Sequence, residues 1–120
     1  MRILDSTAGK ELSDERLEGV TVAPLTQPLA AGSPVQAAVF RLAAGGRIAR
    51  HPATVPQFLV VVDGSGRVSG GDGRPREIAA GDAAFWDAGE EHETTTDGGL
   101  TAVIIEGEGL RPYSSAAATT

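Results

Sequence analysis

Residues 45–66, "GGRIARHPATVPQFLVVVDGSG", place a histidine, a glutamine and a run of five apolar residues between glycine turns. The run Phe58-Leu59-Val60-Val61-Val62 is apolar at consecutive positions, so it reads as a short strand that is dry on both faces. In a single antiparallel layer one face would meet water. A central strand of a sandwich or barrel is therefore expected, covered by a further layer from the N-terminal segment or from a partner chain. Residues 1–34 are the candidates for that cover.

Outward from this stretch, sixteen glycines and seven prolines in 120 residues punctuate short apolar runs, the pattern of an all-β chain. Strands are expected near 20–25, 35–42, 56–62, 67–69, 74–79, 83–86, 91–96 and 100–106. Turns fall between them at Asp63-Gly64, at Gly70-Gly71-Asp72-Gly73, at Gly81-Asp82, at Ala88-Gly89 and at Asp97-Gly98-Gly99. These residue types supply positive φ or local side-chain hydrogen bonds. One folding unit is expected, with an N-terminal strand or arm over 1–34, a barrel over 35–113 and a disordered tail over 114–120. The tail "SSAAATT" has too little apolar surface to offset the entropy of ordering it. Residues 11–19, "ELSDERLEG", read as a turn of helix.

The absence of cysteine excludes disulfides, thiolate metal sites, iron-sulfur clusters and cysteine nucleophiles together. Any metal is left to nitrogen and oxygen donors. A net charge of −6, with Lys10 the only lysine, provides no basic patch able to neutralise a row of phosphates, so no nucleic-acid partner is expected. Charge at Asp5 and Lys10 interrupts any apolar leader, and no run approaches the roughly 18 apolar residues of a membrane span. The expectation is a soluble, cytoplasmic protein with no membrane partner.

The chain has two histidines. His51 precedes the apolar run and His92 follows the turn at Ala88-Gly89, so each sits near a strand end, where a barrel opens. Around them run two spaced frames. The first is Gly45, five residues, His51, one residue, Ala53, three residues, Gln57, six residues and Gly64. The second is Gly81, five residues, Asp87, one residue, Gly89, two residues, His92, three residues and Thr96. Both spacings resemble the paired motifs of the cupin superfamily, in particular its small single-domain members, over roughly residues 40–106.

That resemblance implies a double-stranded β-helix, or jelly roll, often a homodimer, with one divalent metal held by three histidines and a glutamate. Here Ala53 stands where the second histidine would be and Gln57 where the glutamate would be. The implied ligands are then His51, Gln57 and His92, all neutral, for iron, manganese, nickel or zinc. A carboxamide in place of a carboxylate donates less charge, so the ion would be held more weakly and act as a stronger Lewis acid. An Ala53 methyl in the family's inward position would leave room for a bidentate substrate or water. Thr94 and Thr96 share the face of His92 by alternation, so Thr94 joins Ala53 as an expected substrate contact.

Other features read as scaffold. Glu91 and Glu93 alternate away from His92 toward solvent, and Glu90 belongs to the same acidic run. Trp86 reads as core; Phe85 and Trp86 point to opposite faces, and alternation does not say which points inward. "GSGRVSGGDG" lacks the lysine and following helix of a phosphate loop and reads as a hairpin. The function implied is a metal-dependent enzyme, oxygenase- or isomerase-like, acting on a small polar molecule. The alternatives are a metal-free module that binds or senses a small ligand, and an accessory protein working through its dimer surface.

Overall fold

The computed structural model describes residues 1–6, 9–113 and 118–119. Its strands are β1 (Arg2–Asp5), β2 (Lys10–Asp14), β3 (Leu17–Val22), β4 (Gln36–Leu42), β5 (Arg47–Pro52) and β6 (Gln57–Ser69). They continue with β7 (Arg76–Ala79), β8 (Asp82–Trp86), β9 (Glu91–Thr95), β10 (Leu100–Glu106) and β11 (Ala118–Thr119). No helix occurs among the described residues, and so none is long and apolar enough to cross a membrane.

The apolar run lies in β6, which belongs to both walls of the barrel. Its first half pairs with β8 (Gln57 opposite Trp86, Val60 opposite Ala83) and with β10 (Gln57 opposite Glu106, Val60 opposite Val103). Its second half pairs with β7 (Ser65 opposite Ala79) and with β9 (Val68 opposite Thr94). The exchange of partners happens where the sequence suggested a turn, at Asp63-Gly64. Thr101 faces Asp63 while Ala102 faces Val61, so Val62 is the extra residue of a bulge. Gly64 adopts φ 78°, and a Cβ there would collide with the carbonyl of Gly99. The chain thus bends and continues instead of ending, which corrects the expected turn. It also corrects Val62, whose 53% exposure ends the two-sided burial at Val61.

Alternation along β6 then sorts the core. Leu59, Val61 and Val68 face the barrel interior with Ile78, Ala84, Trp86, Leu100, Ala102 and Ile104. Phe58 and Val60 face the opposite side, against Leu4, Ala83, Phe85 and Leu110. Trp86 therefore points inward and Phe85 outward. On the outer side β1 adds to the sheet beside β8, and Leu25 and Leu29 pack over it. The 23–34 segment is tied down by hydrogen bonds from Gln27 N–H to the Arg111 carbonyl and from Tyr113 N–H to the Leu25 carbonyl. Cover from residues 1–34 thus comes from Leu4, Leu25 and Leu29.

Residues 11–19 form no helix. They lie in the β2–β3 hairpin, with Leu12 opposite Val20 and Lys10 opposite Val22. A nine-residue segment containing Gly19 is short for helix nucleation. The Asp14 carboxylate accepts the N–H of Arg16 at 2.7 Å and closes a turn instead. Of the expected tail, residues 114–117 and 120 lie outside the described residues. The backbone of Ala118–Thr119 pairs with Ile3 and Leu4.

Candidate functional site

The two histidines meet because β5 and β9 are paired antiparallel, with His51 opposite His92 and Ile48 opposite Thr94. Between these pairs β5 carries one residue more than β9. That bulge decides the site: with even spacing Arg50 would face His92, and His51 would turn to the other side of the sheet. Strand β5 was not among the expected strands, because "RIARHP" has neither clean alternation nor an apolar run and lies mostly exposed.

The imidazole centroids are 4.3 Å apart, with the ring planes tilted by 52°. Each ring is anchored the same way, through Nδ1 to the carbonyl two residues upstream. His51 meets the Ala49 carbonyl at 2.7 Å and His92 the Glu90 carbonyl at 3.2 Å. A carbonyl only accepts, so each Nδ1 donates, and in the neutral ring the lone pair is left on Nε2.

His92 is buried, 2% exposed, and stacks on Trp86 with centroids 4.5 Å apart. The Trp86 indole is itself held by a hydrogen bond from Nε1 to the Ser69 carbonyl at 3.1 Å. Burial lowers the His92 pKa below its ordinary 6.5, more than the Glu90 carbonyl raises it, and the neighbouring His51 adds to the lowering. The neutral, ligating form is therefore favoured.

The turn before His92 is fastened from several sides. Gly89, at φ 81°, donates to the Ala53 carbonyl, and Ala53 N–H donates to the Glu90 carbonyl. The Glu90 carboxylate accepts from the Met1 ammonium at 2.6 Å, from Gly71 N–H at 3.0 Å and from Asp87 N–H at 3.2 Å. Burial pushes the Glu90 pKa up, but these donors together outweigh it and hold the carboxyl below its usual range. Glu90 is thus a tie between the chain start and two turns.

A cavity of about 120 Å³ opens between the sheets at this point. Its polar lining is His51, Gln57, His92, Thr94 and Glu106; Phe40, Ile48, Leu59 and Ile104 make the apolar wall. Of the expected site residues, His51, Gln57, His92 and Thr94 come together. Ala53 is buried but lies outside this lining, where its backbone braces the 87–90 turn.

Glu106 was not anticipated. It stands opposite Gln57 across β10 and β6, on the inward face with Ile104, Ala102 and Leu100. In "LTAVIIE" both alternating sets are largely apolar, so the pattern alone does not assign Glu106 a side. Two larger hollows, of about 380 and 450 Å³, contain no histidine. Chemistry is assigned to the smaller cavity, where the polar groups converge.

A model of the cupin domain matches residues 38–108. The chain belongs to the cupin family. Among solved structures, this cupin is similar to an RmlC-like cupin from Shewanella frigidimarina, with TM-score 0.58 and 22% identity over 62% of this chain and 66% of that one. It is similar to a predicted oxalate decarboxylase from Thermotoga maritima, with TM-score 0.53 and 24% identity over 57% and 62%. It is also similar to the polyketide cyclase RemF from Streptomyces resistomycificus, with TM-score 0.58 and 21% identity over 68% and 60%. The matched region is less than two thirds of each of these proteins, and at such identities the likeness is one of fold. No curated protein matches the chain.

The jelly-roll expectation therefore holds, while the set of donors at the family's metal-ligand positions is reduced in this cupin. Among the described residues no group of three or more histidine, cysteine, aspartate or glutamate side chains gathers to hold a metal. What remains for an ion is two imidazoles in the ligating tautomer and the amide oxygen of Gln57. Such a neutral set fits a first-row divalent ion, held more weakly than a set containing a carboxylate would hold it.

Proposed function

We propose that this cupin binds a small polar molecule at the barrel mouth, beside one divalent transition metal taken by His51, Gln57 and His92. The observation that carries the reading is the shared anchoring of the two imidazoles. Both Nδ1 atoms donate to backbone carbonyls, and both rings line one cavity with Nε2 left as the lone-pair nitrogen. A bound metal would supply Lewis acidity toward a carbonyl or hydroxyl, or an affinity for dioxygen if it is iron.

The chain's own residues do the rest. Trp86 fixes the plane of the buried imidazole, and Phe40, Ile48, Leu59 and Ile104 limit water at the inner wall. Catalysis belongs to the proposal as well, since cupins of this architecture include a polyketide cyclase, but fold does not choose the reaction.

Elemental analysis of untagged protein purified without chelator, beside a His51→Ala/His92→Ala double variant, tests the metal. About one equivalent in the wild type and none in the double variant is the expected result. Among the described residues no third histidine or carboxylate joins the pair as a ligand, which favours one competing reading, a metal-free module that binds a small ligand through hydrogen bonds. Failure of the wild type to take up iron, manganese, nickel or zinc would give that reading the field. It would then show as ligand-dependent thermal stabilisation in the presence of chelator.

A further inference from the structure

The family's glutamate position is occupied by Gln57, yet a carboxylate reaches the same cavity from the adjacent strand. Resting on the reading that this cavity takes a small molecule, we infer that Glu106 selects the ligand. The part of the molecule that reaches Glu106 carries a hydrogen-bond donor, an ammonium or a hydroxyl, and a carboxylate in that position is rejected.

Four observations support this. Glu106 is half-buried and lines the cavity directly across from Gln57. Among the described residues its side chain has no hydrogen bond or ion pair, whereas Glu90 is tied by three donors. Neither lysine nor arginine lines the cavity, so Glu106 is the one charged side chain of the lining. With no ion bound, the remaining wall is apolar on one side and neutral on the other, which leaves a carboxylate poorly screened once water is displaced.

A ligand seated in the cavity covers an unpartnered carboxylate, and a buried charge left unpaired is costly. A donor removes that cost and an anion adds repulsion to it. Size narrows the class further. Glu106 also borders the neighbouring hollow of about 450 Å³. The histidine cavity, at about 120 Å³, is close to the roughly 150 Å³ cavity known to admit benzene, so the part of the ligand inside it has about six non-hydrogen atoms or fewer. The class is a small amine, amino alcohol or polyol.

Ethanolamine and glycolate are a matched pair of probes, sharing a hydroxymethyl group and differing in the charge at the other end. Each is titrated into protein stripped of metal with chelator, followed by NMR on the ring signals of His51 and His92, and metal content is measured on the untreated protein. In Glu106→Gln the ratio of ethanolamine to glycolate affinity falls by about tenfold or more relative to wild type. Glu106→Asp keeps the preference for ethanolamine.

A ratio unchanged by Glu106→Gln would overturn the inference, and so would binding of neither probe. Should Glu106→Gln not fold, a ratio in Glu106→Leu equal to that of wild type overturns it equally. The metal measurement separates the two proposals. One equivalent of metal without the charge preference sinks the role of Glu106 alone, and the charge preference without metal sinks the metal alone.

Discussion

His51 and His92 face each other across one strand pair and are anchored alike, yet they sit in opposite surroundings. His92 lies at a position closed by Trp86 and by the second half of β6, and is 2% exposed. His51 lies on β5, which among the described residues pairs with β9 alone and leaves the residue exposed. The difference teaches that an identical local geometry serves two purposes. His92 belongs to the core as well as to the cavity wall, while His51 belongs to the cavity wall alone. A ligand can therefore move the His51 ring at small cost, whereas moving His92 means unstacking the core.

The largest effect that can break this comparison is on stability. His92→Ala removes a buried ring from Trp86 and is expected to cost roughly 1–3 kcal/mol, while His51→Ala stays within about 0.5 kcal/mol. Urea denaturation of chelator-treated protein measures both. Equal losses would show that burial does not separate the two rings. On the proposed metal reading each ring would supply one nitrogen, so metal content should fall in each variant alike.

A smaller effect, on pH dependence, sharpens the contrast. The folded His92 has a pKa lowered below the unfolded value of 6.5, so the unfolded chain binds the extra proton first. Its contribution is then fully present above pH 6.5 and is lost as pH falls through the folded pKa. Metal-free wild type should lose stability over that window, and His92→Gln should lose less. Identical pH profiles for the two proteins would remove the titration of His92 from the account.

The smallest expected effect concerns the partner both histidines share. Gln57→Glu should tighten divalent-metal binding, by about tenfold, while changing folding stability little. The variant places a second carboxylate opposite Glu106, and a bound ion relieves the repulsion between the two, which adds to the gain in affinity. Competition with a chromogenic chelator reads the affinity; an unchanged value would place Gln57 outside the coordination of any ion.

Much of the architecture was legible in the chain. From residue 35 onward, the expected strands at 35–42, 83–86, 91–96 and 100–106 lie within a residue of β4, β8, β9 and β10. Apolar runs and glycine turns are local signals, and they were sufficient there. The misreadings all occur where a distant partner decides. Asp63-Gly64 looks like a turn until β10 and β7 are placed on either side of it. "ELSDERLEG" has helix-forming residues but pairs as a hairpin, and "RIARHP" becomes a strand only because β9 lies beside it.

The sequence by itself determined an all-β chain, the two spaced frames and the shared face of His92 and Thr94, which depend on period-two alternation and on glycine positions, properties of neighbours along the chain. The jelly-roll class and the gathering of His51, Gln57 and His92 were implied by the family resemblance that those frames carry. Only the tertiary structure decided the bulge that turns His51 toward His92, the inward choice of Trp86 over Phe85, the placement of Ala53 outside the cavity and the arrival of Glu106 inside it. Each of these is a matter of register between strands far apart in sequence. A shift of one residue exchanges the two faces of a strand without altering its local pattern.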